Sequence, residues 1–312
     1  MDILTFSEKL KTNIKTVIKG KDEIIDKVIL CLLSSGHILL EDVPGTGKTT
    51  LIKALSKSMA MNFSRVQFTP DLLPSDLTGI HYYDQKEQKF IFRAGPVFTD
   101  ILLADEINRA TPRTQSSLLE CMEEKQVSVD GETMPLSSYF FVAATQNPIE
   151  IQGTFPLPEA QLDRFFMRLS MGYPDPESER EMLSSQEKAR PIDSLEPVVG
   201  AEDLLEVQEA VKEITVSDEI KKYILAIVEA TRSDDKIRLG VSPRGSLALM
   251  RASQAQAAVS GRDYVIPDDV KYVCHDVVAH RIICKSASHL QSQSATDAIR
   301  LILAQVTVPA VK

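Results

Sequence analysis

Long hydrophobic runs are missing from this sequence. No segment approaches the ~18 consecutive apolar residues of a membrane-crossing helix. The longest runs, such as Ile38-Leu39-Leu40 and Ile101-Leu102-Leu103-Ala104, have the length of buried strands. No membrane span is expected. The first residues, MDILTFSEKLKTNIKTVIKGK, hold no apolar h-region and no small-residue cleavage site, so no signal peptide is read there and a cytoplasmic protein is the expectation. Cysteine is scarce: Cys31, Cys121, Cys274 and Cys284 form no CxxC pair, and buried small hydrophobes are the simplest reading of them. Cys274, His275, His280 and Cys284 crowd one stretch, with His280 and Cys284 spaced to share a helix face. Adjacent Cys274 and His275 point apart on a helix, and no carboxylate cluster completes a metal set. An excess of basic residues is also absent. Lys and Arg number 35 against 44 Asp and Glu, for a formal charge of -9 and a pI near 5.2. That balance counts against bulk electrostatic binding of nucleic acid, which needs clustered cations. There is no polybasic tether, internal repeat or low-complexity tract.

What remains is ordinary for a globular protein with a sizeable core: 43% hydrophobic and 25% charged residues over 312 positions. The length suggests roughly two domains. Residues 7–35 alternate apolar and charged positions at helical spacing, with a helix read at 22–33 leading into a strand at 37–40. A Pro- and Gly-containing loop follows, and then a helix at 49–60, where Leu51, Ile52, Leu55 and Met59 mark one buried face. Further strands are read at 64–68, 101–104, 139–145 and 168–171, with helical patterns between them. Strands alternating with helices imply an α/β fold with a parallel sheet covered on both faces. After Tyr173-Pro174-Asp175-Pro176 the pattern becomes helical, at 177–189, 201–214, 217–233, 243–260, 267–284 and 296–306. Pro243 and Pro267 suit first-turn positions. An α/β domain at 1–173 and a smaller all-helical domain at 177–312 are the expectation.

The strongest chemical signal is Glu41-Asp42-Val43-Pro44-Gly45-Thr46-Gly47-Lys48-Thr49-Thr50. A strict P-loop has glycine where Asp42 stands. Otherwise the segment fits: Gly45 and Gly47 allow backbone N–H groups to turn toward phosphate oxygens, Lys48 offers a charge to the β and γ phosphates, and Thr49 offers a hydroxyl to Mg²⁺. The helix after the loop directs its N-terminus at the same anion. Next, Ile101-Leu102-Leu103-Ala104 delivers Asp105 and Glu106 at the carboxyl end of a buried strand. Asp105 is expected to support Mg²⁺, with Thr49, and Glu106 to polarise an attacking water. A third apolar strand, Phe140-Phe141-Val142-Ala143-Ala144-Thr145, ends in Gln146-Asn147-Pro148, and Asn147 is placed to bond that water or the γ-phosphate.

With these motifs in place, the chain resembles the MoxR-type AAA+ ATPases along essentially its full length. EDVPGTGKTT, LLADEINRATPRTQSSLLECMEE, FVAATQNPIEIQGTFPLPEAQLDRF and SPRGSLALMRASQAQA carry the likeness, and replacement of the first P-loop glycine is common in that family. The resemblance implies a P-loop NTPase domain followed by a helical lid, ATP and Mg²⁺ as ligands, and a homo-oligomeric ring, usually of six. Pro44 through Thr50 and Asp105 are its nucleotide-binding residues. Asn147 matches sensor 1, Arg164 the arginine finger, and Arg244, in Ser242-Pro243-Arg244-Gly245, sensor 2. The roles of Arg109 and Arg113 stay open. Segment 72–97 resembles the hairpin inserted in the second helix of this clade, and 126–136 a hairpin before sensor 1, with Asp130-Gly131 as its turn. The likeness implies chaperone-like remodelling of protein clients, often with a separate partner bearing a von Willebrand factor type A domain. An AAA+ module acting on nucleic acid is the alternative, and the net charge counts against it.

Overall fold

The computed structural model describes residues 1–148, 153–187, 189–285 and 291–309. Two helices lead: α1 (Ile3–Lys15), capped by the Asp2 carboxylate on Thr5 N, and α2 (Asp22–Leu33). The α/β part follows as β1 (Ile38–Glu41), α3 (Lys48–Ser58), β2 (Phe63–Gln67), α4 (Pro74–Thr78), β3 (Gly79–Asp84), β4 (Lys89–Ala94) and β5 (Ile101–Asp105). It continues with α5 (Pro112–Glu124), β6 (Gln126–Val129), β7 (Glu132–Pro135), β8 (Phe141–Gln146), α6 (Glu159–Leu162) and β9 (Met167–Leu169). Five strands form one parallel sheet in the order β2-β5-β8-β1-β9. The central strands β5 and β8 are apolar runs because both of their faces are covered, whereas the edge strand β2 mixes apolar and polar residues. The pleat divides them: Ile38 and Leu40 enter one core with α1, α2 and α3, whereas Leu39 enters another with Leu118 and Leu119 of α5.

The two insertions are hairpins. β3 pairs antiparallel with β4, and β6 with β7. Asp130 and Gly131 both take left-handed φ, 51° and 85°, as a two-residue hairpin turn requires.

The remaining elements are α7 (Pro176–Gln186), α8 (Ala201–Lys212), α9 (Asp218–Ser233), β10 (Ile237–Leu239), α10 (Pro243–Val259), α11 (Pro267–Val278), β11 (Ile283–Cys284) and α12 (Gln291–Gln305). This half is mainly helical but not wholly so, which corrects the all-helical expectation: β10 and β11 form an antiparallel ribbon. The helix read through Cys284 stops at Val278, and Ala279–Arg281 form a single 3₁₀ turn. There His280 and Arg281 turn inward to bond the backbone of residues 163–166, which a continued α-helix could not do. His280 and Cys284 therefore share no helix face, and among the described residues no group of three His, Cys, Asp or Glu lies close enough to hold a metal.

The helical half packs on α1 and α2. Ile25 and Val28 share a core with Leu249, Ala252, Val273 and Val277. Gln208 Nε2 donates to Leu32 O at 2.7 Å, and Lys27 of α2 meets Asp276 of α11 at 2.8 Å with both side chains nearly buried. The boundary proposed near residues 173–177 lies between β9 and α7, and one apolar core runs across it.

Candidate active site

The loop after β1, the last residues of β2, β5 and β8, and the first turn of α3 meet at the carboxyl edge of the sheet. Such an edge is where open α/β sheets bind ligands. A cavity of about 400 Å³ opens there, lined by the loop from Pro44 to Thr50 and by Asp42, Arg65, Gln67, Asp105, Glu106, Thr145, Gln146 and Asn147. The strand order explains the convergence. β8 lies between β1 and β5, so the segment ending in Asn147 sits between Lys48 and the two acids.

The loop owes its shape to its glycines. Gly45 and Gly47 take φ of 85° and 93°, in the left-handed region where a side chain is strained. A Cβ on Gly45 would meet nothing within 4 Å, so the loop is open on that side. Gly47 is also the N-cap of α3. The Lys48 ammonium donates to the carbonyls of Asp42 (2.9 Å) and Val43 (2.8 Å). Burial lowers its pKa, and the carboxylates of Asp42, Asp105 and Glu106 oppose that shift. Asp42, in place of the pattern glycine, uses its carboxylate structurally. Oδ1 accepts from Val43 N (2.8 Å) and Oδ2 from Gly172 N (2.6 Å), so the loop is tied to the chain leaving β9.

The two acids are held by Arg65, Gln67, Arg109 and Thr145. Asp105 Oδ2 accepts from Arg65 Nε (3.1 Å) and Nη2 (2.7 Å), and its Oδ1 accepts from Thr145 Oγ1 (2.6 Å). The same Thr145 oxygen accepts from Glu106 N at 2.8 Å. Glu106 takes φ of 57°, unusual for a residue with a side chain and common where a site over-determines its backbone. Its Oε2 accepts from Gln67 Nε2 (2.7 Å) and Arg109 Nη1 (3.2 Å). Arg109 thus gains a role beside Glu106. Arg113 instead lines the cleft between the two hairpins, near the His81–Asp130 pair at 2.9 Å. Arg65 and Gln67 were legible in principle: Arg65-Val66-Gln67 alternates along β2, which puts both polar groups on one face beside β5.

Asn147 is buried at the cavity wall. Arg164 and Arg244 are absent from that wall. They meet elsewhere, on one carboxylate: Arg164 Nη2 lies 3.2 Å from Glu123 Oε2, and Arg244 Nη2 bonds Glu123 Oε1. All three are partly exposed at the end of α5, where Arg164 and Glu123 border a second cavity of about 520 Å³ with Glu120, Glu124 and Gln161. Sequence spacing gave no sign that these two arginines, one from each half of the chain, would share a partner.

The donor set suits a nucleoside triphosphate with a hard divalent cation. Backbone N–H groups at a helix N-terminus, an ammonium, and threonine and carboxylate oxygens line the one cavity.

Comparison with known proteins agrees. Residues 37–167 match the model of the ATPase family associated with various cellular activities (AAA), and residues 229–301 match that of the AAA lid domain. The chain is 50% identical over 301 residues to the uncharacterized protein YeaC of Bacillus subtilis, covering 96% of this chain and 94% of the relative. It is 40% identical to Chaperone MoxR1 of Mycobacterium tuberculosis, across 97% of this chain and 82% of that protein. A crystal structure of an ATPase candidate from Cytophaga hutchinsonii superposes with a TM-score of 0.89 at 38% identity, covering 99% of this chain and 97% of the other. The motifs, the parallel sheet with its helical partner and these relatives agree on one assignment: the chain belongs to the MoxR-type AAA+ ATPases.

Proposed function

We propose that this chain hydrolyses ATP at sites shared between subunits of a ring, six in the family's usual form, and uses the cycle to remodel client proteins. One observation carries the reading. The P-loop, Asp105, Glu106 and Asn147 line a single cavity, while Arg164 and Arg244 gather on Glu123 outside it. Cations needed at the phosphates but held apart from their own cavity suit delivery to a neighbour's.

In this reading Lys48 and the amides of residues 45–50 bind the β and γ phosphates. Thr49 and Asp105 would hold Mg²⁺, which supplies positive charge against the phosphate oxygens. Glu106, fixed by Thr145, accepts a proton from the attacking water, and Asn147 orients that water or the γ-phosphate. Arg164 and Arg244 of the adjacent subunit neutralise charge on the transferring group. A protein client is favoured by the acidic chain and by the exposed apolar side chains Ile80, Tyr82, Tyr83 and Phe90 of the β3–β4 hairpin. The name of the mycobacterial relative, a chaperone, points the same way. A separate partner with a von Willebrand factor type A domain, and a cytoplasmic location, belong to the same proposal.

Two variants test it by nucleotide retention and phosphate release. Lys48→Ala should lose tight ATP binding. Glu106→Gln should bind ATP and keep it unhydrolysed. Parental turnover by Glu106→Gln would remove Glu106 as the water-activating acid.

A further inference from the structure

Arg281 is the most heavily bonded arginine among the described residues, and nothing in the nucleotide site uses it. It lies in the 3₁₀ turn after α11, with a side chain only 2% exposed. Its guanidinium faces the turn that carries Arg164. Nε donates to Asp163 Oδ1 (2.8 Å), Nη2 to the carbonyls of Phe165 (2.6 Å) and Asp163 (3.3 Å), and Nη1 to those of Phe166 (3.1 Å) and Val277. His280 Nε2 adds a bond to Phe165 O at 3.0 Å. The other oxygen of Asp163 accepts from Ser242 Oγ at 2.8 Å, and Ser242 is the N-cap of α10, two residues before Arg244. Arg281 also packs on that cap. A Cβ at Gly245 would lie 2.8 Å from Arg281 Cδ, so glycine is what lets the guanidinium pass. Burial lowers the Arg281 pKa to about 10, with Asp163 opposing, so the group is charged at neutral pH.

We propose that Arg281 is a positioning residue for ATP hydrolysis, joining the 163–166 turn to the start of α10 and so fixing where Arg164 and Arg244 are presented to the neighbouring subunit. This role presupposes the catalytic site shared between subunits that is proposed above. A five-donor planar fork can satisfy a carboxylate and several carbonyls at once, which a lysine cannot. Without it, Asp163 and the carbonyls of residues 163–166 lose their shared anchor. Among the described residues, Arg164 and Arg244, both partly exposed, would then be linked through Glu123 and the single Ser242–Asp163 bond.

The test uses the full chain under ring-forming conditions. Arg281→Lys keeps the charge and loses the fork. Its ATP affinity by calorimetry should match the parent, and its KM should hold. Its kcat should fall by about 10–100-fold, the scale of a ~1 Å misplacement of a catalytic group. Mixed with Lys48→Ala, it should recover turnover, because its own P-loop is intact and the Lys48→Ala neighbour supplies well-placed arginines. A loss of stability alone would not be rescued by mixing. If Arg281→Lys fails to fold, Asp163→Asn, which weakens the same clamp from the other side, takes its place with the same expectations. Parental kcat, or no rescue when mixed rings are shown to form, overturns the inference. Arg164→Ala mixed with Lys48→Ala runs in parallel. Failure there overturns the shared-site reading and this inference together, whereas success there with failure at Arg281 removes this inference alone.

Discussion

Thr145 gives the sharpest test of how the acids are held. It is 1% exposed, and its hydroxyl serves two groups at once, donating to Asp105 Oδ1 at 2.6 Å and accepting from Glu106 N at 2.8 Å. Thr145→Val keeps the volume and removes both bonds, so no cavity term enters. A charge-assisted bond is worth about 1.5–3 kcal/mol, and a stranded buried donor costs about 1–3 kcal/mol. Asp105 keeps Arg65 and borders an open cavity, which moderates the first figure. A net loss of ~2–4 kcal/mol follows, which for a chain of this size is a fall in Tm of about 3–6 °C. The catalytic effect should be larger. Glu106 sits at φ 57°, and among the described residues Thr145 is the one side chain bonded to its amide. Releasing that amide lets the carboxylate drift, at a cost of ~10² in kcat for a shift of ~1 Å. Thr145→Ser restores the hydroxyl and should return most of both quantities. Thermal unfolding and phosphate release, with ATP affinity as a control, are the assays. A valine variant with parental Tm and turnover would refute the reasoning.

Two further outcomes are expected. Arg244→Ala should leave ATP binding by the isolated subunit unchanged and slow hydrolysis by the ring, as Arg164→Ala should; weaker binding by the isolated subunit, read by calorimetry, would instead put Arg244 at its own nucleotide. His37 is buried, accepts from Val142 N on Nδ1 (3.0 Å) and bonds Met122 O through Nε2 (3.0 Å), and burial drops its pKa to about 4. Because the folded state lowers that pKa, the neutral ring contributes its full stability above pH ~6.5 and loses it as pH falls toward 4, by about 3 kcal/mol in all. Tm measured across that window should fall less steeply in His37→Gln, which cannot take up the proton; equal slopes would count against His37.

The sequence made the sheet and the phosphate loop legible because each has a local signature. Apolar runs such as Leu102-Leu103-Ala104 are buried on both sides, and the glycines at 45 and 47 answer a backbone requirement. Asp130-Gly131 announced its hairpin for the same reason. What stayed hidden depends on residues distant in the chain. Asp42 looked like a departure from a pattern, and its bond to Gly172 shows a structural use. Arg65 and Gln67 act because β2 pairs with β5, and sequence periodicity gives no strand order. The helix read through Cys284 breaks at Val278 because Arg281 is drawn to Asp163, a tertiary contact that overrides helical propensity. The convergence of Arg164 and Arg244 on Glu123 joins three segments and has no local sign at all.

The central claim is that each catalytic site takes its P-loop from one subunit and its arginines from another, and mixing two inactive variants measures it directly. Arg164→Ala should bind ATP and hydrolyse it slowly; supplied arginines of this kind are worth about 10³–10⁵ in rate in GTPases. Lys48→Ala should fail at its own P-loop. Combined under ring-forming conditions, the two should release phosphate well above the sum of either alone, because some interfaces pair an intact P-loop with an intact Arg164. No gain, in mixed oligomers shown to have formed, would contradict the shared site and leave Arg164 as a residue that ties α5 to the turn before β9.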